Sequence, residues 1–305
     1  MLDGVGLREP NDTIAHPFAG LELPTLQKLG ISTPNFTSSS ECITRPIDAN
    51  LGITGLPQSG TGQTTILTGI NAAAHLGFHY GPWVSPSLRP LLEQSIFKRL
   101  GNVRLANYYP NSYLEALQNG KVRLNAIATS ALAAGATLEQ ADTKQAGIGT
   151  EQAKGIGTEQ ATSIGIEQAN GIGIAPMLHL PNQPNNLEQI RQWAFLFMGS
   201  QAKVTVFDQW WTDHLGHKMN LEEAMAFAHR LESFCLACLE FQAKDTLFLV
   251  TSDHGNFEDL RIKTHTRNPV PFAAVGQGAK HFMAVSSLVD IASGLEQIFQ
   301  NQTVV

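Results

Sequence analysis

An unbroken apolar run, Thr246-Leu-Phe-Leu-Val-Thr251, follows a helical pattern spanning residues 221–241. A strand whose interior positions are all apolar has no face to give to water. It reads as a buried parallel strand, covered on both sides. The same rhythm recurs along the chain. Residues 24–30, 90–100, 187–198 and 288–299 are helical in pattern, and 103–109, 203–207 and 271–275 read as strands. Such alternation predicts an α/β fold: a mostly parallel central sheet with helices on both faces. The helix over 221–241 has Asn220 as its N-cap and Glu222 and Glu223 in its first turn. An acceptor side chain and negative charge both suit the open N–H groups there.

The chain's 305 residues are read as one large domain, 1–305, interrupted by an insert. The octad Gly147-Ile-Gly-Thr-Glu-Gln-Ala-Lys154 recurs over 155–162 and 163–170 and fades at 171–174. Each copy offers one or two Ile against two Gly, too little apolar surface to offset the entropy of ordering it. The stretch 137–177 is therefore expected to be a flexible low-complexity insert, with a small β-solenoid or a ligand-covering lid as alternatives. At the other end, Asp3-Gly4 follows only two residues, which leaves the strand expected before such a loop truncated.

Composition excludes several classes. A net charge of −6 advertises no nucleic-acid surface. The longest apolar candidate, 126–136, falls short of the roughly 18 residues a membrane span needs. Three cysteines make no disulfide framework and suit a reducing cytosol, so a cytoplasmic protein is expected. Cys235 and Cys238 form a C-x-x-C inside the 221–241 helix, flanked by Phe234, Leu236 and Leu239. Redox pairs sit at helix N-termini, so this pair reads as core thiols.

The chemistry lies in the loops that follow strands. Asp213-His-Leu-Gly-His217 places a carboxylate and an imidazole four residues apart, on one face if the segment is helical. Asp253-His254 follows the apolar strand directly, and His265 comes next before Asn-Pro-Val-Pro. Asp3 stands at another strand end. Ser59 opens a predicted helix after the loop Gly55-Leu-Pro-Gln. Each piece alone has a plain reading: a surface ion pair, an Asp-Gly-Asn turn, a loop histidine. Together they give six carboxylate or imidazole groups, more than one tetrahedral site takes, and so imply two metal ions, zinc or manganese.

These pieces resemble the alkaline phosphatase superfamily, in its metalloenzyme branch with cofactor-independent phosphoglycerate mutase and phosphopentomutase. That branch combines an Asp-Gly opening, a Ser or Thr nucleophile before a Gly, Asp-x-x-Gly-His, Thr-x-Asp-His-Gly-Asn-x-Glu and His-Thr-x-Asn-Pro-Val-Pro. Here they read Asp3-Gly4, Ser59-Gly-Thr-Gly62, Asp213 to His217, Thr251 to Glu258 and His265 to Pro271, in the same order. The resemblance covers residues 1–80 and 200–300. It implies that Asp3, Ser59, Asp253 and His254 hold one metal and that Asp213, His217 and His265 hold the other. It also implies phosphoryl transfer to Ser59 and then to water, with Thr61 as a second candidate nucleophile. One departure is plain: Gln63 stands where the family pattern has a His.

The expected function is a two-metal phosphohydrolase, a phosphatase or phosphodiesterase, acting on a small-molecule phosphate ester. The mutases of the branch need a grip on a second phosphate, and Arg89, Arg99, Arg104, Lys121 and Arg123 are scattered in sequence. A minimal phosphomutase is the alternative among enzymes. A non-catalytic pseudoenzyme that binds metal or a phospho-ligand is the rival from another class; it predicts a lost ligand or nucleophile, and none is missing.

Overall fold

A computed structural model describes residues 1–9, 11–140 and 187–300. The octad repeat lies outside the described residues. The strands are β1 (Thr37–Ser38), β2 (Cys42–Ile47), β3 (Val103–Leu105), β4 (Tyr108–Tyr109), β5 (Glu139–Gln140), β6 (Val204–Val206), β7 (Leu247–Thr251) and β8 (Val270–Gly276). The helices that shape the site are α1 (Pro24–Lys28), α2 (Ser59–Thr68), α3 (Ala126–Ala133), α4 (Leu187–Met198), α5 (Trp211–Lys218), α6 (Leu221–Phe241) and α7 (Asp290–Gln300).

The sheet is mixed, which qualifies the expectation of a mostly parallel one. β1, β2, β8 and β7 form an antiparallel ladder in that spatial order. On the far side of β7 the pairing turns parallel. Leu2 bridges Ser252 at the end of β7 and Gln209 beyond β6, and β6 pairs with β3 in parallel. The cause is the connection between β7 and β8. Residues 252–269 contain no helix to carry the chain back across the sheet, so β8 must return antiparallel. The expected short opening strand is a single residue, Leu2, wedged between two parallel neighbours.

Three apolar clusters fill the space around the sheet. On one face Phe227, Leu231, Phe234 and Cys238 of α6 pack with Phe207, Phe248 and Val250. On another, Val103, Leu105 and Tyr109 pack with Leu67 of α2 and Ala128 of α3. The third joins Ile43 and Ile47 of β2, Phe272 of β8, Ile66 of α2 and Ile291 of α7. β7 serves two of these: Phe248 and Val250 belong to the first, while Leu247 and Leu249 pack against the third. Its uniform apolarity reflects cover on both faces.

The helix over 221–241 begins as its sequence demands, the Asn220 side chain accepting from Glu223 N at 3.2 Å. Both C-x-x-C thiols are buried in the middle of that helix, Cys235 against the first core. The expected helix over 90–100 is two short helices, Arg89–Leu92 and Ile96–Leu100. Among the described residues no helix is long and apolar enough to cross a membrane.

Candidate metal centre

Four segments meet at the ends of β6 and β7. The first is residues 3–6. Leu2 N donates to Thr251 O at 2.8 Å, and Asp3 N to Gln209 O at 3.0 Å. The loop turns at Gly4, whose φ of +68° suits a residue without Cβ. Ser252 Oγ then accepts from Val5 N and donates to His254 O, tying this loop to the one after β7.

The second segment is α2. Ser59 is its first residue, as expected, with Gln58 at the N-cap. All ten residues of α2 are buried although six are Ser, Thr or Gln. Thr64, Thr65 and Thr68 manage this by donating to carbonyls one turn back, at 2.6, 2.8 and 2.7 Å. The alternation Ser59-Gly-Thr-Gly62 has a steric cause: a Cβ at Gly62 would lie 2.6 Å from Asp253 O, and one at Gly60 would lie 2.7 Å from Tyr80 O.

The third is α5, which presents Asp213 and His217 one turn apart, with His217 Nε2 3.2 Å from Asp213 Oδ2. The fourth is the loop 252–269. It supplies Asp253, His254 and His265. Backbone carbonyls fix two of the rings at the centre: His265 Nδ1 lies 2.7 Å from Pro57 O, and Nδ1 of His217 on α5 lies 2.6 Å from Lys263 O.

The side chains converge in two groups that share a member. Asp213, His217 and His265 offer ligand atoms all within 4.8 Å of one another, and so do Asp3, Asp213 and His254. Ser59 Oγ lies 2.9 Å from His254 Nε2 and 3.4 Å from Asp3 Oδ1. Asp253 stands behind, its Oδ1 3.9 Å from His254 Nε2 and accepting from Gly4 N at 3.2 Å. The rings of His254 and His265 stack with centroids 3.8 Å apart, bridging the two groups. All seven residues expected from the sequence are therefore adjacent. Asp213 belongs to both groups, where the family resemblance implies only one.

Thr61 is placed differently. Its hydroxyl donates to Gln58 O at 3.1 Å and accepts from Tyr80 N at 3.3 Å, which binds it into the first turn of α2. His214 is buried and stacks on Trp211.

The protonation balance shows how much negative charge is gathered here. Burial and the neighbouring charge of Asp253 push the Asp3 carboxyl well above its usual range. Burial alone would lower His254, but the charges of Asp253 and Asp213 and the bond to Asp3 carry it up to about 10. Burial would raise Asp213, yet the bond to His217 and the charges of His254 and His265 hold it below the usual carboxylate range. Burial, followed by the charge of His254, lowers His265 to about 3. Carboxylates this close are relieved either by protonation, as the raised Asp3 shows, or by cationic partners. Oxygen and imidazole donors facing one another fit divalent cations such as zinc or manganese.

Several residues to which the sequence assigns no role of their own brace this centre. Glu258, fully buried, accepts from Gly6 N and Asn256 N at 2.8 Å each, from Asn268 Nδ2 at 3.0 Å, and from the Thr266 hydroxyl. Asn256 Nδ2 donates to Asp213 Oδ1 at 2.7 Å. Arg8, also buried, donates to the Glu258 carbonyl at 2.9 Å. Asn256 and Glu258 stand inside the Thr251–Glu258 run, whose polar residues are too many for the sequence to say which of them brace and which face the centre.

A cavity of about 330 Å³ is lined by residues that include Leu56, Gln58, Phe78, His79 and Tyr80. Leu56 and Gln58 are the chain neighbours of Pro57, whose carbonyl faces His265 Nδ1, and Gln58 directly precedes Ser59.

A family model described as the metalloenzyme superfamily matches residues 1–302. No curated protein matches the chain. Among solved structures, alkaline phosphatase from the Antarctic bacterium TAB5 aligns with a TM-score of 0.52 at 14% identity, covering 98% of this chain and 96% of that one. A mutant of that enzyme with Mg bound in its M3 site aligns at 0.51 and 12% identity, with the same coverage. The PH0037 protein from Pyrococcus horikoshii aligns at 0.53 and 11% identity, again covering 98% and 96%. At such identities the likeness is one of fold.

Proposed function

The chain belongs to the metalloenzyme superfamily, and from that premise we propose that it is a two-metal phosphohydrolase with Ser59 as nucleophile. The observation that carries this reading is the position of Ser59 Oγ, 2.9 Å from His254 Nε2 and 3.4 Å from Asp3 Oδ1 at the start of a buried helix. Asp3, Ser59, Asp253 and His254 would hold one ion; Asp213, His217 and His265 would hold the other, with Asp213 near enough to serve both. The ions, when bound, supply Lewis acidity that favours the Ser59 alkoxide and the departing ester oxygen.

The chain's own groups account for the rest. The N-terminal end of α2 favours a phosphoryl anion through its dipole, although the Thr61 N–H already donates to Tyr80 O at 2.9 Å. Ser59 Oγ forms a bond to phosphorus as the ester P–O bond breaks on the opposite side, and the proton that Ser59 gives up ends on the departing oxygen, which leaves as the alcohol. Water then attacks the phosphoserine, returning Ser59 and releasing inorganic phosphate. The cavity lined by Gln58 would receive the alcohol portion. Among the described residues its lining includes two aromatic rings, Phe78 and Tyr80, and the cation held against it is Arg267, whose Nε donates to Gly55 O at 3.1 Å. A mutase must grip a second phosphate, so a single such cation supports the hydrolase reading.

The test combines metal analysis with a panel of phosphomonoesters and phosphodiesters, on wild type and Ser59→Ala. Release of inorganic phosphate by wild type alone is the expected result. Equal turnover by both proteins removes Ser59 as nucleophile. Transfer between two carbons of a phosphosugar without phosphate release makes the chain a mutase.

A further inference from the structure

Gln63 lies one helical turn beyond Ser59 on the same face of α2 and is fully buried. Its Nε2 donates to Asp253 Oδ2 at 3.1 Å and to Asp3 Oδ2 at 3.4 Å. An amide nitrogen has two N–H bonds, and here there is one for each carboxylate. The opposite orientation of the amide would set its carbonyl against two carboxylates, so the chemistry fixes which atom faces them. The other oxygens, Asp3 Oδ1 and Asp253 Oδ1, are the ones turned towards His254 Nε2, at 3.1 and 3.9 Å. Gln63 therefore takes the far oxygen of each carboxylate and leaves the near oxygen facing Ser59 and His254.

A residue that merely filled this space would not be a glutamine. Gln63 Oε1 is buried without a hydrogen-bond partner. An orphaned buried carbonyl costs free energy that methionine or leucine of similar volume would avoid. The cost is offset only if the NH2 group has work that no apolar side chain can do.

We propose that Gln63 is a positioning residue: a two-armed donor that aligns Asp3 and Asp253 for the ion at the Ser59 side of the centre. This rests on the two-ion reading above. The role is directional and local. Gln63 touches neither His217 nor His265 through any hydrogen bond described here, so the Asp213–His217–His265 group should not depend on it.

The test is calorimetric titration of chelator-treated protein with Mn²⁺, on wild type, Gln63→Met and Gln63→His. Wild type is expected to bind two ions. Gln63→Met should bind one of them about ten- to a hundredfold more weakly, the usual effect of losing a partner that orients a ligand, with the other unchanged. Gln63→His, which keeps a single ring N–H donor, should lose less, and it keeps the assignment testable if Gln63→Met does not fold. Unchanged affinity at both sites would overturn the proposal. So would tighter binding, which would make Gln63 a competitor of the ion, or equal weakening at both sites with a lowered melting temperature, which would make it a packing residue. Wild-type protein that takes up no Mn²⁺ would overturn the two-ion reading, and this assignment with it.

Discussion

Ser59 Oγ faces His254 Nε2 across 2.9 Å, while Thr61, two residues on, turns its hydroxyl to Gln58 O. The two hydroxyls share one helical turn and have different employment. Ser59→Ala should lower ester hydrolysis by at least about 10⁴-fold, as removal of a nucleophile does. Thr61→Ala should leave turnover within about tenfold and act on stability instead, since its hydroxyl closes the first turn of α2. Steady-state phosphate release and thermal melts of both variants separate the two. A Thr61→Ala protein as inactive as Ser59→Ala, with an unchanged melt, would transfer the role.

Glu258 gathers four donors from two segments, residues 3–6 and the loop 252–269, while fully buried. Glu258→Gln keeps the shape but turns an N–H group towards donors. A loss of at least about 2 kcal/mol is expected, because a buried charge-assisted network would be left partly unsatisfied. Urea unfolding of the metal-free protein measures it. An unchanged midpoint would mean that the loop 252–269 is held by other contacts.

How far the sequence could be read follows from these two cases. Asp213, His217, Asp253, His254 and His265 are legible because each sits in a short run whose residue types have few other uses together. Ser59 is legible because a glycine-flanked Ser after a Pro-containing loop predicts a helix start. Gln63 and Glu258 are not, since their roles depend on partners up to about 250 residues away, such as Gly6 for Glu258. The sheet was half legible. Apolar β7 reads as buried on both faces, and it is, but apolarity carries no information on the direction of its neighbour. That direction follows from a helix-free connection, a tertiary fact. The strand before Asp3 is legible only as a truncated one, because a single residue, Leu2, does the pairing on both sides.

The thiols should divide by reactivity. Burial pushes Cys235 up to about 12, and raises Cys238 well above the usual thiol range through burial and the neighbouring Cys235. Cys42 is half-buried and raised less drastically. The reactive form is the thiolate. Iodoacetamide at neutral pH should therefore label Cys42 in the native protein and reach the other two only after denaturation. Peptide mapping by mass spectrometry checks this; native labelling of Cys235 would contradict the buried placement of α6.

His16 supplies a pH dependence remote from the centre. Burial, then the charge of Arg8, lowers it to about 4 from an ordinary 6.5, against the opposing pull of Asp12 and Asp259. Above pH 6.5 it is neutral in both folded and unfolded chains and has no effect. As pH falls from about 6.5 towards 4 the unfolded chain takes up the proton first, so stability is lost through that window. His16→Phe should flatten the wild-type decline in melting temperature between these limits. Parallel declines in the two proteins would assign the dependence to other groups.

The pairing of Leu2 with Thr251 and Ser252 has a kinetic side. Asp3 reaches Asp253 only after the chain has closed a loop of about 250 residues, and closures of such span come late, once their entropy is offset by the contacts they join. A cation that needs both carboxylates meets its complete ligand set only in a chain already near its final form. Added metal should then deepen the native well and slow escape from it, while the rate of reaching it stays that of the bare polypeptide.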